Sequence, residues 1–158
     1  NLMIVDLVRH DLGSVADGCV EVPRLMHIES FATVHQMVTT VRARVRPQAG
    51  NLAVLAHCFP PGSMTGAPKR RTLSILDRLE CSPASGAPEP RGVYSGVIGY
   101  LAAHGAADFS VVIRTAVVDA RGSRVSVGAG GALTILSDPK AEWAEVEAKL
   151  YSIMPQSS

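Results

Sequence analysis

Glu142, Glu145 and Lys149 follow one another at intervals of three and four residues in SDPKAEWAEVEAKLYSIM, a spacing that places side chains on one face of an α-helix. Two carboxylates one helical turn apart can offer oxygens to a hard cation such as magnesium, which keeps several waters and takes its remaining ligands from substrate. Glu145 and Lys149 are also spaced as an i,i+4 ion pair, worth ~0.2–0.5 kcal/mol on any solvated helix. Spacing alone leaves both readings open. The run VGAGGAL poses a similar choice over Gly128, Ala129 and Gly130. Backbone N–H groups unobstructed by side chains can converge on an anion, and glycine within a strand also marks a bulge or a close backbone approach. Arg114, inside VVIRTAVV, either reaches solvent on one face of its strand or meets a carboxylate.

FPPGSMTGAPKRR, from Phe59 to Arg71, surrounds two hydroxyls, Ser63 and Thr65, with prolines, glycines and a basic run. It is not a phosphate-binding Walker loop, since GAPK lacks the GK[ST] ending, and GxGxxG is absent from the chain.

These residues need elements to carry them. NLMIVDLV fits a helix with Leu2, Val5 and Leu12 on its apolar face. CVEVPRLMHIES and TVHQMVTTVRARV are rich in β-branched residues and alternate, which predicts strands. NLAVLAHCF predicts a short helix, and APKRRTLSILDRLE a second one with Pro68 in its first turn. After CSPASGAPEPRG, a turn-rich stretch expected to be a mobile loop over 81–91, three strands are predicted in VYSGVIGYLA, FSVVIRTAVVD and RVSVGAGGALTIL. Their short connections favour an antiparallel meander. A last helix begins at Asp138 and Pro139, with Trp143, Val146, Leu150 and Ile153 expected to pack on the sheet.

The composition sets outer limits. The chain has 158 residues, 47% of them hydrophobic, enough for one domain with a sizeable core. A net charge of +1, with no basic stripe, argues against nucleic acid as a partner. No apolar run is long enough to span a bilayer and there is no signal-peptide pattern, which favours the cytoplasm and argues against membrane partners. Cys19, Cys58 and Cys81 lack any CxxC or Cys/His spacing that suggests zinc or redox chemistry.

Taken in order, NLMIVDLVRHDLG, FPPGSMTGAPK, RGVYSGVIGYL, VVIRTAVV, VGAGGA and SDPKAEWAEVEAK resemble the C-terminal part of the chorismate-utilising enzymes, the family of anthranilate synthase component I and aminodeoxychorismate synthase component I. The resemblance implies an α+β fold, part of a sandwich of antiparallel sheets flanked by helices. It implies that Ser63 and Thr65 belong to an active-site loop, with Ser63 the better candidate for touching substrate. Chorismate is a dicarboxylate. By similarity, Tyr94 and Arg114 bind one carboxylate, helped by N–H groups around Gly128, Ala129 and Gly130. Lys149 assists at the anionic end, and Glu142 and Glu145 hold Mg2+ against the ring carboxylate.

PPGSMTGAPK resembles aminodeoxychorismate synthases more than the PAGTLSGAPK of anthranilate synthases. The parent activity implied is replacement of the C4 hydroxyl of chorismate by ammonia from a glutaminase partner, on the way to p-aminobenzoate and folate. The alternatives are an anthranilate synthase, aminating at C2 with loss of pyruvate, and a non-catalytic remnant that binds chorismate or the glutaminase. Gln36 stands where several relatives carry a histidine; His35, one residue earlier, faces the other side of a strand and is read as structural. The opening at Asn1, inside an apolar segment, leads us to expect the C-terminal portion of a single catalytic domain, and the resemblance implies that the family's lysine motif and a further metal glutamate lie upstream. On that expectation the 158 residues alone are inactive.

Overall fold

A computed structural model describes residues 1–82 and 85–154. Pro83 and Ala84, in the middle of the expected mobile loop, lie outside the described residues. The chain divides into two compact units, residues 1–79 with 101–107, and residues 80–100 with 108–158.

The first unit opens with helix α1 (Leu2–Gly13), which buries Val5 and, unexpectedly, Asp11. Strands β1 (Ala16–Ser30) and β2 (His35–Val45) form an antiparallel hairpin interrupted by register shifts. Met26, at a φ of 49°, lies at one of these shifts, and its N–H donates to Thr39 Oγ1 at 2.9 Å instead of to the ladder. Helix α2 (Asn51–Cys58) leads to a single helical turn, α3 (Gly62–Thr65), and then to α4 (Lys69–Leu79). Pro68 sits just before α4, where its carbonyl accepts the Thr72 N–H at 3.0 Å and its own missing N–H costs no helical bond.

The second unit departs more from expectation. Strands β3 (Val97–Leu101) and β4 (Ala107–Val111) pair, and Gly99 runs so close to Asp108 that a Cβ would lie 1.9 Å from its carbonyl oxygen. FSVVIRTAVVD is not one strand. It breaks over residues 112–115, where Arg114 takes a φ of 52°, and pairing resumes as β5 (Ala116–Val118), antiparallel to β6 (Val125–Val127). A left-handed residue interrupts the regular pleat, and among the described residues no strand pairing bridges the interruption, so Arg114 is not mid-strand as the β-branched run suggests. Nor is the glycine run a strand, since regular pairing ends at Val127.

Helix α5 (Pro139–Tyr151) starts as its sequence predicts, with Asp138 Oδ1 accepting the Ala141 N–H at 2.9 Å. Of the stripe expected to pack, Val146, Leu150 and Ile153 are half-buried, and Trp143 is the exception. Trp143 is 64% exposed, whereas Glu142, Val146 and Lys149 are half-buried. Spaced four and three residues apart, these lie on one stripe, and a Cβ on Gly131 would stand tightly against Glu142 Oε2 at 3.2 Å and in ordinary contact with Val146 at 3.7 Å. The helix turns this stripe toward bare backbone, which accepts polar side chains and gives a tryptophan nothing to interdigitate with.

Candidate active site

Tyr94 and the glycine run are built around each other. A Cβ on Gly128 would stand 2.3 Å from Tyr94 Cγ, and one on Gly130 would stand 2.8 Å from the phenolic oxygen. The tyrosine thus lies along the backbone in space that any side chain would fill, which gives the glycines a packing reason. Ser95 follows at a φ of 62°, and its N–H donates to Val112 O at 2.9 Å, turning the chain immediately after the ring. Arg91 braces this corner. Its Nη1 donates to Ser95 Oγ at 3.1 Å, while its Nε and Nη2 make a two-pronged bond to the Glu80 carboxylate. With Ser82 N–H on Ala87 O at 2.8 Å and Glu89 N–H on Glu80 O at 2.9 Å, that pair closes both ends of the 81–91 segment.

The Arg91 hydrogen bond holds the Glu80 carboxyl below its ordinary value of 4.5, outweighing the opposing effect of burial. A depressed carboxyl stabilises the fold above the unfolded-state value and loses that contribution as pH falls through the folded one. Glu80→Gln should therefore lower stability near neutrality by about 1 kcal/mol, the partial exposure of the pair limiting its worth. The deficit should vanish in urea melts performed below the depressed value, where wild-type Glu80 is protonated too.

Helix α5 brings the charged groups to the same backbone. Lys149 Nζ donates to Gly130 O at 3.1 Å and pairs with Glu145 Oε1 at 2.6 Å. Its hydrogen bond, and then its charge, hold the Glu145 carboxyl below the usual range. Glu142 Oε1 accepts from Ser137 Oγ at 2.7 Å. At the helix end Arg114 Nη1 donates to Ser152 Oγ at 2.8 Å, and that hydroxyl donates to Lys149 O at 2.7 Å. Tyr94, Arg114, Gly128, Ala129, Gly130, Glu142, Glu145 and Lys149 all fall in the second unit. A phenol, a guanidinium and an ammonium suit a carboxylate ligand. Glu142 and Glu145, an oxygen-only donor set, fit a hard divalent cation whose other ligands are water and substrate. Among the described residues no third His, Cys, Asp or Glu joins them.

Ser63 and Thr65 lie in the first unit, on the α3 turn. Met64 N–H donates to Pro61 O at 2.9 Å and Gly66 N–H to Gly62 O at 2.8 Å, and Gly66, at a φ of 94°, ends the turn in a conformation that side chains disfavour. Thr65 Oγ1 donates back to Pro61 O at 3.3 Å. Ser63 is exposed, and among the described residues its hydroxyl has no hydrogen-bond partner, which leaves it the freer of the two for a ligand. Asp11 forms an ion pair with Lys69 at 2.7 Å, their side chains 11% and 20% exposed. Burial, then the Asp11 charge, push the nearby Cys58 thiol up.

Sequence reasoning missed the Asp11–Lys69 and Glu80–Arg91 pairs and the bracing hydroxyls Ser137 and Ser152. One signal was available: Asp11 interrupts the apolar face of α1, and a buried carboxylate requires a cation.

The pattern of the chorismate binding enzyme family matches residues 1–155. An aminodeoxychorismate synthase from Streptomyces griseus is 52% identical over 155 residues, 98% of this chain and 20% of that protein. Aminodeoxychorismate synthase component 1 of Escherichia coli is 41% identical over 157 residues, 99% of this chain and 33% of the relative. Among solved structures, anthranilate synthase component I from Streptococcus pneumoniae TIGR4 matches with a TM-score of 0.79 and 32% identity over 96% of this chain and 33% of that one. The chain thus spans a fifth to a third of the length of these proteins.

Proposed function

The chain belongs to the chorismate binding enzyme family, and on that premise we propose that it forms the carboxylate- and metal-holding part of an aminodeoxychorismate synthase. The observation that carries the reading is the alignment of Tyr94 along Gly128–Gly130, with Lys149 on the Gly130 carbonyl and Glu142 and Glu145 on the same helix. Chorismate presents two carboxylates and a ring hydroxyl. Tyr94 and Arg114 bind one carboxylate, with help from N–H groups of the glycine run, which lie beyond the regular pairing of β6. Lys149 offers a further positive charge at the anionic end; for Ser63, in the first unit, contact with substrate rests on the family resemblance of its loop. Glu142, steadied by Ser137, and Glu145 would hold magnesium. When bound, the ion stabilises negative charge as the ring hydroxyl departs.

The reaction proposed replaces the C4 hydroxyl of chorismate with ammonia, giving 4-amino-4-deoxychorismate and water. A glutaminase, separate or fused, supplies the ammonia, in keeping with the component naming of the Escherichia coli relative. The relatives at 52% and 41% identity are aminodeoxychorismate synthases, which favours this product over anthranilate. Chromatographic analysis of products from the natural polypeptide carrying this sequence, with chorismate, ammonium and magnesium, tests the assignment. Aminodeoxychorismate supports it; anthranilate with pyruvate, or binding without turnover, replaces it with one of the alternatives.

Glu142→Gln separates a metal ligand from a structural residue. The amide can still accept from Ser137 but is a poor magnesium ligand, so the magnesium concentration for half-maximal rate should rise about tenfold or more. Melting temperature should hardly change, since Glu142 is only half-buried. Unfolding with an unaltered magnesium requirement would make it structural.

A further inference from the structure

Asp11 and Lys69 have no role in the reading above, yet they form the most enclosed ion pair described here. Lys69 Nζ is shut off from solvent, and Asp11 Oδ1 at 2.7 Å is its partner, an ion pair without a well-aligned hydrogen bond. Burying two charges is costly, and apolar residues of similar volume often stabilise as well or better, so net stability is a weak reason for such a pair. Its placement offers another. Lys69 is the first residue of α4, and Asp11 lies in the last turn of α1. Gly62, first residue of the α3 turn, also presses on α1, where a Cβ would meet Leu7 Cβ at 3.2 Å and Asp11 Oδ2 at 3.6 Å. The segment from Gly62 to Lys69 is therefore held against α1 at both ends, once by backbone contact and once by charge. Between the two anchors stands Ser63, exposed and without a hydrogen-bond partner among the described residues.

We infer that the Asp11–Lys69 ion pair is a positioning device that fixes the turn carrying Ser63, and so sets the approach of its hydroxyl to a carboxylate-bearing substrate. The role at substrate rests on the function proposed above; the anchoring of the turn does not. Neither residue touches the ligand. Losing the pair frees one anchor while Gly62 keeps the other, so the turn samples more orientations and binds substrate less well.

The test uses the natural polypeptide with Lys69→Met, Asp11→Asn and the double variant Asp11→Asn/Lys69→Met. The double variant removes both charges and leaves no orphaned ion, which guards against a simple folding failure. Hydrogen exchange should accelerate about tenfold or more at the Met64 and Gly66 amides, with the β1–β2 amides unchanged. The KM for chorismate should rise about tenfold with kcat within about threefold, the signature of lost uniform binding. In a Ser63→Ala background the double variant should add little, because both changes act through one hydroxyl. Unchanged exchange at Met64 and Gly66, or faster exchange throughout the protein, overturns the anchoring role. Locally faster exchange with an unchanged KM overturns the link to substrate. If the wild type does not use chorismate, the proposed function falls, and exchange at the two amides still decides whether the pair anchors the turn.

Discussion

Gly128→Ala is expected to lower kcat/KM for chorismate by roughly a hundredfold or more, the scale on which an ångström of misplacement acts in an active site. The added methyl would lie 2.3 Å from Tyr94 Cγ and 2.5 Å from its Cβ. No rotation of the ring relieves a contact with the base of the side chain, so either the tyrosine leaves the groove or the backbone gives way. Tyr94 has little freedom to yield, because the next residue is fixed by its left-handed conformation, its bond to Val112 and the Arg91 brace. Overpacking of this kind also costs about 1–3 kcal/mol of stability. A second substitution separates collision from other causes. In the Tyr94→Gly background, which removes the Cβ as well as the ring, Gly128→Ala should cause little further loss of stability, because the colliding atoms are gone. If Gly128→Ala is equally harmful there, the glycine serves a purpose other than making room for Tyr94.

Arg114→Ala should raise the KM for chorismate by about 10- to 150-fold, corresponding to a charged hydrogen bond worth ~1.5–3 kcal/mol. The exposure of Arg114 sets this figure below the ~3–5 kcal/mol that breaking a fully buried pair would cost. Its guanidinium is held at the end of α5 by Ser152, whose own hydroxyl donates to the main-chain carbonyl of Lys149. Arg114→Lys should recover only part of the loss, since an ammonium cannot reproduce a planar two-pronged grip on a carboxylate. Ser152→Ala should give a smaller rise in KM, because it loosens the arginine without removing it. An unchanged KM for Arg114→Ala would return the residue to the solvated face that its β-branched surroundings equally allow.

Much of the fold was legible because it is local. The apolar spacing of α1, the alternation in β1 and β2, and the Asp138–Pro139 start of α5 are written within one element each, and the structure has them there. What was hidden depends on partners. The period of α5 offered two adjoining stripes, and the apolar one seemed the natural inner face. The structure keeps Val146, Leu150 and Ile153 half-buried, leaves Trp143 exposed and turns Glu142 and Lys149 toward glycine backbone, a fact of tertiary contact that no helical period carries. Arg114 looked central to a strand because arginine gives no warning of a positive φ, as glycine would. Asp11 and Lys69, and likewise Glu80 and Arg91, are joined only by folding. The candidate site residues were proposed from the order of six motifs rather than from any single spacing, since an i,i+4 pair or a glycine run alone has commoner explanations.

The proposed function stands on one cradle, in which Tyr94, Arg114, the glycine run and Lys149 would take a carboxylate beside a magnesium ion that Glu142 and Glu145 would hold. Titration calorimetry of chorismate into the natural polypeptide, with magnesium and again after its removal by chelation, tests that cradle without requiring turnover. The predicted result is binding that weakens about tenfold or more without magnesium in the wild type, becomes nearly insensitive to the ion in Glu142→Gln, and is lost in Gly128→Ala. Chorismate binding equally tight in all three proteins, with or without the ion, would contradict it.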